Sequence, residues 1–212
     1  MLHFVILGGG AFARETFWHI RGTHPGAEIV FADDVSGKKS LRMGCADTLV
    51  VDDWNFPDGF RQFIVGVGVP EAKRALVHKA LDAGLKPAPT LVHPRALVQG
   101  DDVQVGRGGV IAPGCILTTN IVLGDYVVLN LNTTVGHDTT MGDYATCNPG
   151  CQISGNVTLG EGVSLGTGVV VREKIVIASW VSVGAQGCVV KDLTQAGATY
   201  AGVPARVLAD RG

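Results

Sequence analysis

The chain has little charge and few aromatic side chains. Asp, Glu, Lys and Arg make up 17% of its 212 residues, and Phe, Trp and Tyr only 6%. The net charge of −2 comes without any basic run, which argues against nucleic acid or an anionic membrane as partner. No apolar run is long enough to span a bilayer. Met1-Leu2-His3 passes directly into a strand-like segment, so no signal peptide is expected and a cytoplasmic location is. The five cysteines (Cys45, Cys115, Cys147, Cys151, Cys188) form no C-x-x-C pair. Thiols filling a core in a reducing compartment are expected, and no metal site.

Glycine and aliphatic residues are what the chain has in quantity: 30 Gly, and a hydrophobic content of 46%. From Val105 onward an aliphatic or Cys residue returns at every sixth position, through Ile111, Leu117, Leu123 and Leu129 to Val189, fifteen hexads without a slip. Four positions after each lead the residue is mostly small or β-branched, as at Cys115, Ile121, Thr133 and Val157. A period of six fits neither an α-helix nor a simple strand and is the signature of a β-helix. Each hexad is then a short strand and a turn, with the lead residue and the small one pointing inward. The position after the lead is often Gly, as at Gly106, Gly124, Gly136 and Gly142, where it is expected to permit backbone angles closed to other residues. A coil of this kind is stable only as part of a stack.

The segment ahead of the hexads alternates strand and helix. Strands are expected at 4–7, 28–31, 62–68 and 90–92, and helices from Ala11 to about Arg21 and from Pro70 to about Ala83, as a small parallel α/β sheet. Gly8-x-Gly10-x-x-Ala13 matches a variant of the dinucleotide fingerprint, with Asp33-Asp34 about twenty positions on. The segment is roughly half the size of a full dinucleotide fold, which favours a nucleotide or nucleotide-sugar over NAD. The division expected is residues 1–95, Rossmann-like, and 96–212, a β-helix with a C-terminal tail.

Within the hexads His137 is the one histidine. Its position points outward, and Asp138 follows it. A neutral imidazole flanked by a carboxylate suits a general base. Adjacent strand side chains point to opposite faces, so direct contact between His137 and Asp138 requires a turn there.

Gly136-His137-Asp138-x-x-Met141-Gly142-Asp143-Tyr144, with Asn148-Pro149-Gly150 and Ser154-Gly155-Asn156-Val157, resembles bacterial sugar acetyltransferases of the NeuD/PglD type, members of the hexapeptide-repeat acyltransferases. Gly202-Val203-Pro204-Ala205-Arg206 and His93-Pro94-Arg95-Ala96 are similar to their tail and to the entry of their β-helix, so nearly the whole chain is covered. The resemblance implies a left-handed parallel β-helix with three hexads per coil, a homotrimer, and acetyl-CoA as cosubstrate between neighbouring β-helices. Stacking of every third hexad then places Asn120 and Asn156 in the Asp138 column, and Thr119 and Gly155 beside His137. The resemblance assigns His137 as base and Asp138 as the acid that raises its basicity. Gly8, Gly9, Gly10, Phe12, Asp33, Asp34 and Asn130 fall where the family binds the nucleotide-linked sugar. Thr146, Gly155, Thr167, Ala185 and Arg206 fall along the acetyl-CoA site. Phe12 and Thr146 stand where some members have histidine.

The function expected is transfer of acetyl from acetyl-CoA to the amine of a nucleotide-linked amino sugar, in surface-polysaccharide or glycan biosynthesis. O-acetylation of a sugar and a non-catalytic β-helix scaffold are the alternatives. A zinc β-helix carbonic anhydrase needs three converging histidines, and a nicotinamide oxidoreductase needs a larger first domain.

Overall fold

The computed structural model describes residues 2–208; the last four residues of the expected tail lie outside them. The N-terminal part is a six-stranded mixed sheet with two helices. In chain order its elements are β1 (His3–Leu7), α1 (Ala11–Thr23), β2 (Glu28–Ala32), β3 (Ser40–Met43), β4 (Ala46–Val51), β5 (Gln62–Val65), α2 (Pro70–Asp82) and β6 (Lys86–Pro87). The strand order is β3-β4-β2-β1-β5-β6, parallel except for the antiparallel β3–β4 hairpin at one edge.

Apolar residues on both sides of β1, β2 and β5 give this sheet two buried faces. Phe4, Ile6, Ile29, Phe31 and Ile64 meet Phe17 and Ile20 of α1 on one face. Val5, Leu7, Val30, Phe63 and Val65 meet Val77 and Ala80 of α2 on the other. Pro70 begins α2, where its missing N–H costs nothing.

The hexads form a three-faced parallel solenoid. One face stacks Leu91–Val92, Val110–Ile111, Val128–Leu129, Thr146–Cys147, Ser164–Leu165, Ser182–Val183 and Thr199–Ala201, and Arg206–Val207 closes it antiparallel. Within the hexads each strand lies on the one three hexads away, as Val110 on Val128 and Val128 on Thr146. Leu91–Val92 belongs to this solenoid face and not to the N-terminal sheet, whose last strand is β6. Gln104 pairs with Val122, three hexads on, whereas Leu91 pairs with Val110, one position further than three hexads. One extra residue near Gly100 therefore hides the first coil from a strict period of six.

The expected inward columns are buried: Ile111, Leu117, Leu129, Cys147 and Leu165 lead, and Cys115, Ile121, Ala145, Cys151 and Val157 follow. Burial raises the Cys115 and Cys151 thiols to about 11.

Three corners join the faces, and each corner residue sits in the left-handed region, one coil from the next in its column. Tyr126, Tyr144 and Trp180 share one corner with Gly108 and Gly162; Asn132 and Gln186 share the second with Gly114, Gly150 and Gly168; Asn120, Asp138, Asn156 and Lys174 form the third. The glycines after the lead residues are absent from this set and do a different job from the one expected. A Cβ on Gly124 or Gly142 would lie under 3 Å from backbone atoms of the coil above. They allow close stacking of coils, and the sharp turn falls two residues later.

The aromatic corner seats the N-terminal sheet. Val65 N–H donates to Gly108 O at 3.0 Å, and Gly108 N–H donates to Ala88 O at 2.7 Å. Phe63, Tyr126 and Tyr144 stack in sequence, and the Arg74 guanidinium of α2 lies 4.3 Å above the Trp180 ring.

Candidate active site

His137 and Asp138 occupy the third corner, and the turn there brings them into contact. Asp138 adopts φ 58°, which swings its side chain back along the chain. Its Oδ2 lies 2.6 Å from His137 Nδ1. The other carboxylate oxygen accepts a hydrogen bond from Asn120 Nδ2 at 2.6 Å, one coil below. Asn120 first, then His137, hold the Asp138 carboxyl below the usual carboxylate range. An ionised Asp138 accepts the Nδ1–H hydrogen bond, which leaves Nε2 with its lone pair free. Gly155 stacks directly above: a Cβ there would lie 2.5 Å from Nε2. The pair is open to solvent, with 58% of the His137 side chain and 43% of Asp138 exposed.

A second cluster lies at the carboxyl ends of β1 and β5. The chain leaves β1 toward β2 on one side, while β5 pairs on the other, so these ends form a topological switch point, where open α/β sheets bind ligands. Gly8 takes φ 102° and packs against Val67. Gly9 leaves room for the Asp33 carboxylate, whose Oδ2 occupies the space a Cβ at that position would take. Gly10 caps α1 with no side-chain hydrogen bond, so the first N–H groups of a 13-residue helix face outward. Phe12 is half-buried against the cores on both faces of the sheet.

The two aspartates divide. Asp33 Oδ1 accepts the N–H groups of Val35 and Ser36 and shapes the loop. Asp34 Oδ2 accepts from Lys79 Nζ at 2.7 Å and Trp54 Nε1 at 3.1 Å. These bonds, Lys79 first, hold its carboxyl below the usual range.

The remaining expected residues are spread over the solenoid. Asn130 is nearly buried, its Oδ1 accepting Leu131 N–H at 2.7 Å. Thr167 and Ala185 stack one coil apart beside the second corner, next to Gly168 and Gln186. Arg206 is exposed on the closing strand. Thr146, expected along the acetyl-CoA site, departs from that placement: it is buried beneath α2 with no surface to offer a cofactor, and its hydroxyl donates to Gly68 O at 2.7 Å and accepts from Lys73 Nζ at 2.7 Å. The loop Gly66–Gly68 and Lys73 do not stand out in the sequence. A Gly-x-Gly between a buried strand and a Pro-started helix is the available signal, hidden when the strand is read on to residue 68.

No family model and no curated protein matches the chain. Solved structures do match, over nearly its full length. A variant of perosamine N-acetyltransferase from Caulobacter crescentus, in complex with CoA and GDP-perosamine, is 27% identical with a TM-score of 0.87, covering 98% of this chain and 97% of that one. The acetyltransferase domain of PglB from Neisseria gonorrhoeae is 28% identical with a TM-score of 0.87, covering 98% and 100%. WeeI from Acinetobacter baumannii is 26% identical with a TM-score of 0.87, covering 98% and 100%. The three-faced solenoid, the motif around His137 and these likenesses lead to one conclusion: over nearly its whole length the chain is similar in sequence and fold to sugar N-acetyltransferases of the left-handed, hexapeptide-repeat β-helix type.

Proposed function

We propose that the protein transfers acetyl from acetyl-CoA to the amine of a nucleotide-linked amino sugar. The observation that carries this reading is the His137–Asp138 pair, with Nε2 free beneath Gly155, in a chain similar to proteins solved with CoA and GDP-perosamine or with acetyl coenzyme A. The sugar amine attacks the thioester carbonyl as His137 Nε2 accepts its proton. The tetrahedral intermediate collapses with release of the CoA sulfur, which takes that proton from the imidazolium. Asp138 stabilises the imidazolium between the two steps. No covalent enzyme intermediate forms.

On this reading the N-terminal sheet and its helices act as a Rossmann-like nucleotide-sugar domain and the solenoid as the acyltransferase β-helix, which begins at Leu91, a few residues before the expected division of 1–95 and 96–212. Gly8, Gly9, Gly10, Phe12 and Asp33 surround the phosphates and ribose at the switch point, and Asp34 acts through Trp54 and Lys79. Asn130 lies toward the sugar, and Gly155, Thr167, Ala185 and Arg206 toward acetyl-CoA.

These positions support a homotrimer. Gly155 belongs to the third corner and Thr167 and Ala185 to the second, as one extended cofactor would meet them where two copies lie side by side. Outward aliphatics remain exposed on the two solenoid faces that the N-terminal sheet leaves free, Ile116 and Val170 on one and Val122 and Val176 on the other. No helix among the described residues is long and apolar enough to cross a membrane, and the cytoplasm, where acetyl-CoA and nucleotide sugars are made, is the proposed location.

The test is thiol release from acetyl-CoA against GDP-, UDP- and dTDP-linked amino sugars, with mass detection of the product. Release matched by a gain of one acetyl group on the sugar is expected. Acetylation at a hydroxyl would turn the assignment to O-transfer, and no transfer to any acceptor would favour a binding scaffold.

A further inference from the structure

Lys73 is a fully buried lysine with no carboxylate partner among the described residues. It lies on α2 and is 1% exposed. Its Nζ donates to Thr146 Oγ1 at 2.7 Å, Tyr126 O at 3.0 Å and Ala145 O at 3.3 Å. An ammonium has three N–H donors, so each is used. A methionine would fill the same volume without the cost of desolvating a charge. What the lysine adds is therefore directional bonding between α2 and the solenoid.

Those bonds end at two functional places. Thr146 donates its own hydroxyl proton to Gly68 O, in the loop between β5 and α2. That loop lines the switch point: Gly66 N–H donates to Leu7 O at 2.9 Å, and Val67 packs on Gly8. Ala145 and Thr146 lie on the same coil as His137, one corner further along. Tyr126 O lies on the coil below, at the aromatic corner.

We propose that Lys73 is a positioning residue which, through Thr146, locks the acceptor-binding loop Gly66–Gly68 onto the solenoid, and so fixes the acceptor relative to the reacting groups that a solenoid carries, its own or a neighbouring copy's. The role rests on the reading of the switch point as the acceptor site. There the acceptor's nucleotide end is held by the N-terminal sheet, while the reacting groups are held by the solenoid. A loose joint between them would spread the amine over many positions relative to the thioester, and proximity is lost steeply with misplacement.

The test uses the full-length protein with Thr146→Val, which keeps shape and removes the hydroxyl, Thr146→Ser, which keeps the hydroxyl, and Lys73→Met. Hydrogen exchange across residues 62–70 reads the loop directly. Kinetics use whichever nucleotide-linked amino sugar the wild type acetylates. Thr146→Val is expected to speed exchange in the loop and to raise the acceptor KM by about fivefold, the scale of one lost hydrogen bond, leaving the acetyl-CoA KM within about twofold. Thr146→Ser restores both, and Lys73→Met exceeds Thr146→Val.

Unchanged loop exchange in Thr146→Val would overturn the lock, even if Lys73→Met failed to fold. Equal rises in both KM values would overturn the positioning role in favour of a merely structural one. Faster exchange with an unchanged acceptor KM would overturn the loop's assignment to the acceptor, and the positioning role with it. Failure of the wild type to acetylate any sugar would overturn the proposed function itself, and is seen before any variant is compared.

Discussion

At the level of single residues, the base proposed at His137 depends on what surrounds it. Gly155 is the most exposed to test, because any side chain there meets the His137 ring. Gly155→Ala must displace the imidazole from its Asp138 contact, and a fall in kcat of about 10²-fold is expected, the lower end of a general base's contribution. Near-normal turnover in that variant would show that the ring does not act from this position.

Lys73 permits a second test at this scale. Burial pulls its ammonium from 10.5 to about 7. Between those values the unfolded chain holds a proton that the folded chain has lost, so stability rises with pH through that window. The cost of the buried charge is present in full below about pH 7 and relieved toward pH 10.5. Thermal denaturation at about pH 7 and about pH 9.5 should therefore show the wild type gaining on Lys73→Met as pH rises; parallel curves would contradict it. The contrast between these two residues explains what the sequence reveals. His137 stands out because it is the one imidazole in a strict repeat and Asp138 follows it directly. Lys73 sits in an ordinary helical run, Glu71-Ala72-Lys73-Arg74, and only the packing of α2 on a distant coil buries it.

At the level of elements, period decides what can be read. The hexads announce themselves because every strand repeats the same short pattern. The first coil, with its extra residue near Gly100, breaks the period, and its opening strand then reads as part of the wrong sheet. The β3–β4 hairpin escapes for a different reason: Gly44 and Cys45 make a tight turn, β3 alternates over only four residues, and the first four residues of β4 stay largely exposed at the sheet edge. The stack makes its own prediction. Leu129 is fully buried between coils, and Leu129→Ala should cost about 2–5 kcal/mol, the range for a leucine lost from a close-packed core. Chemical denaturation would measure it, and a loss under about 1 kcal/mol would mean that the coils collapse around the gap.

At the level of the whole molecule, one protomer carries the proposed acceptor cradle on the aromatic corner and the proposed base on another. Neighbouring copies would bring cradle and base together. Mixing inactive His137→Ala with a variant lacking the cradle carboxylate, Asp33→Ala, should then restore part of the activity, because some mixed sites receive one intact half from each chain. Activity that never exceeds the sum of the separate variants would place both halves of the site in one chain. The most direct test of the account remains turnover of His137→Ala on the nucleotide-linked amino sugar that the wild type acetylates. The account predicts a loss in kcat of about 10²–10⁴-fold with acetyl-CoA binding retained, and turnover close to wild type would contradict it.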